Sequence, residues 1–178
     1  LKSTEVLGNV NLETLKELPD AVNSLVFSGK NLVAVSGDRF FELNVTDKSV
    51  EEIKGEEGMR RGYVFDNKAF VVTGDGVKRV DLAGGKTVDV SAKTTALDIN
   101  VFFGNVYLLE KSQILKIVPI EGGYAAEANY LNNEVQFGEK AKMAIDASIW
   151  VTGGSRVYKF TRGADDHFEI SGLTEGAG

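Results

Sequence analysis

Residues 148–160 read SIWVTGGSRVYKF: an apolar run from Ile149 to Val151, a turn written in glycine and serine, and a second apolar run broken by Lys159. The same order recurs in NLVAVSGDRFFELNVTDKSVEEI from Asn31, KAFVVTGDGVKRVDLAGGKTVDV from Lys68 and NVYLLEKSQILKIVPIEGGYAAE from Asn105. The four copies start 37, 37 and 43 residues apart. Offsets this regular mark a chain built from one repeated unit, and recognising that unit decides the fold.

Each copy opens on an apolar run (Leu32 to Val35, Ala69 to Val72, Val106 to Leu109, Ile149 to Val151), which predicts a strand covered on both faces, since a half-exposed strand alternates. A tight turn follows, in which Gly37, Gly74 and Gly154 are expected to supply positive φ. The next strand carries Phe40, Val77, Ile114 and Val157 in one column and Leu43, Val80, Ile117 and Phe160 three residues on, with Glu42, Arg79, Lys116 and Lys159 between. A second Gly/Asp-rich turn leads to a half-wet outer run, SVEEI, TVDV or HFEI. Ahead of each copy stands one more strand candidate, SLVF, GYVF, INVFF or KMAI, so each unit holds four strands. Helical signal is confined to NLETLKELPD, with Asn11 as N-cap and Pro19 as stop.

The pattern predicts an all-β chain, and DASIWVTGGSRVYKF resembles blades of the β-propeller superfamily, in particular its NHL-like type. The resemblance implies four-stranded antiparallel blades over about 22–58, 59–95, 96–138 and 139–170, after an N-terminal strand or helix segment at 1–21 and before a tail at 171–178. The Gly-His and Trp-Asp pairs of WD repeats are absent, as is the full kelch framework. YKFTRGADDHFEISGL is also similar to a propeller segment of bacterial proteins, some of which carry a phosphatase-like domain and a membrane span elsewhere. That likeness implies a sensor module beside a catalytic domain. Propellers close with about four to eight blades. The outer-strand character of STEVLG, the Leu1 start and the Gly-rich close favour a piece of a larger ring over a complete ring of four.

A net charge of −6 argues against nucleic acid as partner, and the absence of cysteine excludes disulfides and thiolate metal sites. No apolar stretch reaches bilayer length and the start has no signal-peptide core, so the chain reads as soluble as given, with an exported or membrane-anchored parent left open. His167 beside Asp165 and Asp166 reads as a solvated turn, and no Gly-x-Ser-x-Gly elbow is present. Neither a metal nor another cofactor is expected. Carboxylate pairs such as Glu51 with Glu52 and Glu56 with Glu57 keep a glycosidase or lactonase alternative alive. Trp150 shares a column with Val33, Phe70 and Tyr107, which predicts packing between blades. The charged column reads as the wet side of its strands. The third unit is six residues longer than its neighbours, and the excess falls in GGYAAEANYLNNEVQF. Extra loop on a rigid scaffold is where binding residues concentrate, so Tyr124, Tyr130, Asn132 and Asn133 are the predicted binding residues. The functional expectation is a non-catalytic binding module for a protein, peptide or glycan, able to self-associate through unpaired blade edges.

Overall fold

The computed structural model describes residues 17–28, 31–153 and 156–168, and none of these residues is helical. Val22–Ser28 (β1), Asn31–Ser36 (β2), Arg39–Asn44 (β3) and Val50–Lys54 (β4) form the first antiparallel sheet in chain order. Arg61–Phe65 (β5), Lys68–Val72 (β6), Val77–Asp81 (β7) and Thr87–Ser91 (β8) form the second. Asp98–Phe102 (β9), Asn105–Leu109 (β10) and Ile114–Ile117 (β11) begin the third. A separate hairpin, Pro119–Ile120 (β12) with Gly123–Tyr124 (β13), then precedes the third sheet's last strand, Ala128–Asn129 (β14). Lys142–Ile145 (β15), Ile149–Gly153 (β16), Arg156–Thr161 (β17) and Ala164–Asp165 (β18) form the fourth.

The apolar runs are the second strands, and they bury both faces. Val33, Ala34 and Val35 are at most 1% exposed, and Ala69 to Val72 at most 2%. Registers confirm the column alignment, because Val33 faces Glu42, Phe70 faces Arg79, Tyr107 faces Lys116 and Trp150 faces Lys159. The charged column is therefore not a wet face. Its members are half-buried beside the interfaces, their stems covering apolar surface. The Lys116 and Lys159 ammonium groups lie 6.0 and 5.3 Å from the Tyr107 and Trp150 ring centres.

Sheets stack face to face through three buried clusters. Val33, Val35 and Phe40 of sheet 1 meet Val64, Ala69, Val71 and Val80 of sheet 2. Phe70, Val72 and Val77 meet Ile99, Val101, Val106 and Ile117 of sheet 3. Tyr107, Leu109 and Ile114 meet Met143, Ile149, Val151 and Phe160 of sheet 4. The second strands β6 and β10 thus send alternate residues to the preceding and the following sheet, as pleat geometry requires. The first strands lie side by side, β1 to β5 to β9 to β15. They start at the same end, since the Gly62 amide donates to Ser24 Oγ (3.1 Å), Arg61 Nε to the Leu97 carbonyl (3.2 Å) and the Met143 amide to Asp98 Oδ2 (2.9 Å).

Three local expectations change. Gly37 has φ +59°, but in sheet 2 the positive φ falls on Gly76 (+140°) and not on Gly74. There the Ser91 carbonyl approaches so closely that no Cβ would fit, so the turn can use only glycine. The outer strand of the fourth unit is Ala164–Asp165, upstream of HFEI, because the two-residue turn Arg162-Gly163 reverses the chain earlier. Residues 17–21 are irregular; Asn11, STEVLG, Gly154 and residues 171–178 lie outside the described residues.

Candidate functional site

In a four-stranded antiparallel sheet the turn from first to second strand and the turn from third to fourth lie at one end, and the remaining turn lies at the other. Six of the large exposed apolar side chains sit at or beside the former end: Phe27, Val45, Phe65, Phe103, Val118 and Ile120. Of the other three among the described residues, Val22 lies at the opposite end, Leu25 in the middle of β1, and Phe168 beyond β18 against Trp150. Phe103 is the extreme case. It is 83% exposed and has φ +48° in the two-residue turn Phe103-Gly104 joining β9 to β10. The equivalent turn of sheet 2 holds Asp66 (φ +49°) and Asn67 (φ +56°), residue types that tolerate this conformation. A phenylalanine there strains the backbone and gains little burial in return, only an edge contact with Phe102 at 4.5 Å between ring centres.

A second feature lies among the first strands, a cavity of about 550 Å³ with residues of β1, β5, β9 and β15 in its wall. Its polar lining includes Asn23, Ser24, Tyr63, Asp98, Asn100 and Lys142. Asp98 is 9% exposed; Oδ2 accepts the Met143 amide at 2.9 Å, and Oδ1 lies 3.6 Å from Lys142 Nζ. Asn100 follows on the same side of β9, is 7% exposed, and finds no hydrogen-bond partner for its carboxamide among the described residues. Burial pushes the Tyr63 phenol above its usual 10.0. Leu25 and Phe27 supply apolar wall on β1.

The four predicted binding residues do not form one cluster. Tyr124 packs on sheet 2: its hydroxyl accepts from Arg79 Nη1 at 3.2 Å, and its ring stands edge-on to Phe70 at 6.5 Å. Tyr130 packs at the next junction, edge-on to Tyr107 at 5.7 Å. Asn132 and Asn133 are exposed, the former with its amide donating to the Gly163 carbonyl at 2.8 Å. Only part of the extra length lies in the β12–β13 hairpin and the path back to β14, where Lys116 pairs with Ala128 twelve residues on against nine for Glu42 with Glu51 and Arg79 with Val88; the rest follows β14. Reasoning from loop length missed Phe103, although FFGN at 102–105 carries a signal: a second phenylalanine where sheet 2 writes aspartate. It also missed Asp98 and Asn100, whose signal is a pair of polar residues at alternate positions of an inner strand.

The remaining chemistry is quiet. Glu51 and Glu52 are neighbours on β4, so their carboxylates leave opposite faces of the sheet and do not face a common substrate. Glu56 is held by Thr87 Oγ1 (2.6 Å) and Lys78 Nζ (3.4 Å). His167 is exposed 3.7 Å from Asp165, while Asp166 pairs with Lys159 at 3.4 Å. Among the described residues no three His, Cys, Asp or Glu side chains converge to hold a metal, and no helix is long and apolar enough to cross a membrane.

No family profile matches the sequence, and no curated protein matches it. Solved structures do. The computationally designed Ika4 protein superposes with TM-score 0.56 at 16% identity over 85% of this chain and 99% of its own. The extracellular domain of the one-component system BT4673 from B. thetaiotaomicron gives 0.58 at 10% identity over 86% of this chain but 23% of its own. The N-terminal domain of Nup159 gives 0.54 at 10% identity over 85% and 52%. The chain therefore spans about half or less of the two natural structures. Similarity at this identity shows the fold alone, and that fold is a β-propeller of four-stranded antiparallel blades.

Proposed function

We propose that the protein is a non-catalytic β-propeller binding module that takes a protein or peptide ligand on the ring end carrying Phe65, Phe103, Val118 and Ile120. The blades are the segments 22–58, 59–95, 96–138 and 139–170. The observation that carries the reading is Phe103: an exposed aromatic ring kept in a strained turn, at a position where folding is better served by Asn or Asp. Exposed apolar side chains gathered at one end of a rigid scaffold are what a protein partner buries. Asn132 and Asn133 follow Leu131, which Gln113 holds at the β10–β11 turn, so they lie toward the other end and take no part in this surface, while Tyr124 and Tyr130 brace the connection between them and β11.

Phe103→Asn separates this role from folding. The variant writes Asn-Gly into a turn with both central φ angles positive, so stability should rise by about 1 kcal/mol in urea denaturation. Peptides selected from a random display library against the wild-type chain should lose about tenfold or more in affinity for the variant. Equal affinity for both proteins, or selected peptides without apolar anchors, would sink the reading.

A further inference from the structure

The central cavity holds a combination that folding alone does not call for. A carboxamide that opens onto a cavity without a protein partner keeps both its donors and its acceptor free for whatever enters. Asn100, 7% exposed as a residue, presents such a carboxamide on the cavity wall, with no partner among the described residues. Two residues earlier Asp98, also nearly buried, is neutralised by Lys142 across the β9–β15 contact. The pair sums to zero charge. Asn23, on the opposite wall, reaches only a long bond of 3.4 Å to the Met59 carbonyl.

We propose that this cavity is a binding site for a small, uncharged, hydroxyl-rich molecule of the mono- or disaccharide class. The carboxamide of Asn100 both donates and accepts, which is what a sugar hydroxyl offers in return. The Asp98–Lys142 pair presents an acceptor and donors side by side without net charge, and so disfavours ligands that carry net charge. Leu25 and Phe27 offer apolar surface to the C–H face of a sugar ring, and about 550 Å³ is the size of a small-molecule pocket. This site shares Phe27 with the apolar end of the sheets but uses none of Phe65, Phe103, Val118 and Ile120, and the variants that test it leave those four in place, so it stands or falls separately from the peptide-binding surface.

The test is titration calorimetry and thermal shift of the chain as given, with a panel of glucose, galactose, mannose, maltose and trehalose set against glucosamine and glucuronate. At least one neutral sugar should bind and raise Tm, and it should bind more tightly than either charged sugar. Asn100→Leu should weaken that sugar about tenfold or more, while the unliganded variant keeps a single cooperative unfolding transition. Lys142→Gln changes a half-exposed side chain that folding tolerates. By leaving Asp98 unpaired it should shift preference toward cationic glucosamine by about tenfold. The proposal is overturned if no neutral sugar in the panel binds, if a charged sugar binds best to the wild type, or if Asn100→Leu leaves sugar affinity unchanged.

Discussion

Sheet 3 and sheet 4 turn the same column of residues toward the next sheet, Tyr107 in one and Trp150 in the other, but the two meet different fates. Tyr107 is 7% exposed inside the cluster it shares with Met143, Ile149, Val151 and Phe160. Trp150 belongs to none of the buried clusters. It donates through Nε1 to Asp146 Oδ2 at 3.2 Å, stands edge-on to Phe168 at 5.0 Å, and carries the Lys159 ammonium over its ring. The surface that should receive it by the repeat is the other face of sheet 1. There Ala34, Phe41 and Leu43 form a fourth cluster with Leu18, Leu32 and Val50, containing no residue of sheet 4. Leu25 and Phe27 on the same face are 58% and 69% exposed. A repeat writes the same half-interface each time, and only the three internal junctions among the described residues receive the other half.

Breaking this contrast begins with the filled junction. Tyr107→Ala should cost about 3–5 kcal/mol in urea denaturation, as for other large aromatic truncations in a core. Trp150→Ala should cost about 1 kcal/mol, mostly the cation–π and edge contacts of a partly wet ring; a loss equal to that of Tyr107→Ala would show that sheet 4 is sealed after all. Trp150 is the single tryptophan, so its emission reports the seam directly. Acrylamide should quench it readily in the folded protein, and protection that grows with protein concentration would mean that a second copy fills the gap.

The smallest effects are in pH. The Ser148 amide and then Trp150 Nε1 hold the Asp146 carboxyl below its usual 3.8. Its hydrogen bonds therefore persist above that value and are lost as pH falls through the lower folded one, where Trp150 emission should shift. Burial, and then the neighbouring Tyr130, raise the Tyr107 phenol above 10.0. Its contribution is full below 10.0 and is lost as pH rises through the folded value, so ultraviolet titration should show it ionising late. Asp146 titrating like an exposed aspartate would remove the link between that carboxylate and the indole.

Much of the architecture is legible in the chain because it is local. Apolar runs of three or four residues, a turn, and a charge opposite a large apolar residue recur at offsets of 37, 37 and 43 residues. That spacing alone assigns every second strand and predicts the column Val33, Phe70, Tyr107, Trp150. The binding surfaces were less legible. Length located an insertion in the third unit, split by the register to either side of β14, yet Tyr124 and Tyr130 pack at different junctions, because aromatic rings beside a sheet edge find apolar surface before they find solvent. Gly76 took the strained position from Gly74 because the Ser91 carbonyl, 15 residues away along the chain, occupies the space.

By itself the sequence determined a repeated four-stranded unit whose middle strand must be covered on both sides, since periodicity and turn chemistry act within a few residues. Only the tertiary structure decided which of those covers is supplied. It also decided that Asp98, Asn100, Lys142 and Asn23 line one cavity, and that Phe103 stands exposed at the end of the sheets that carries the first-to-second-strand turns. Those outcomes depend on segments separated by about one to three repeats, whose approach is set by how sheets stack and not by any pattern within one of them.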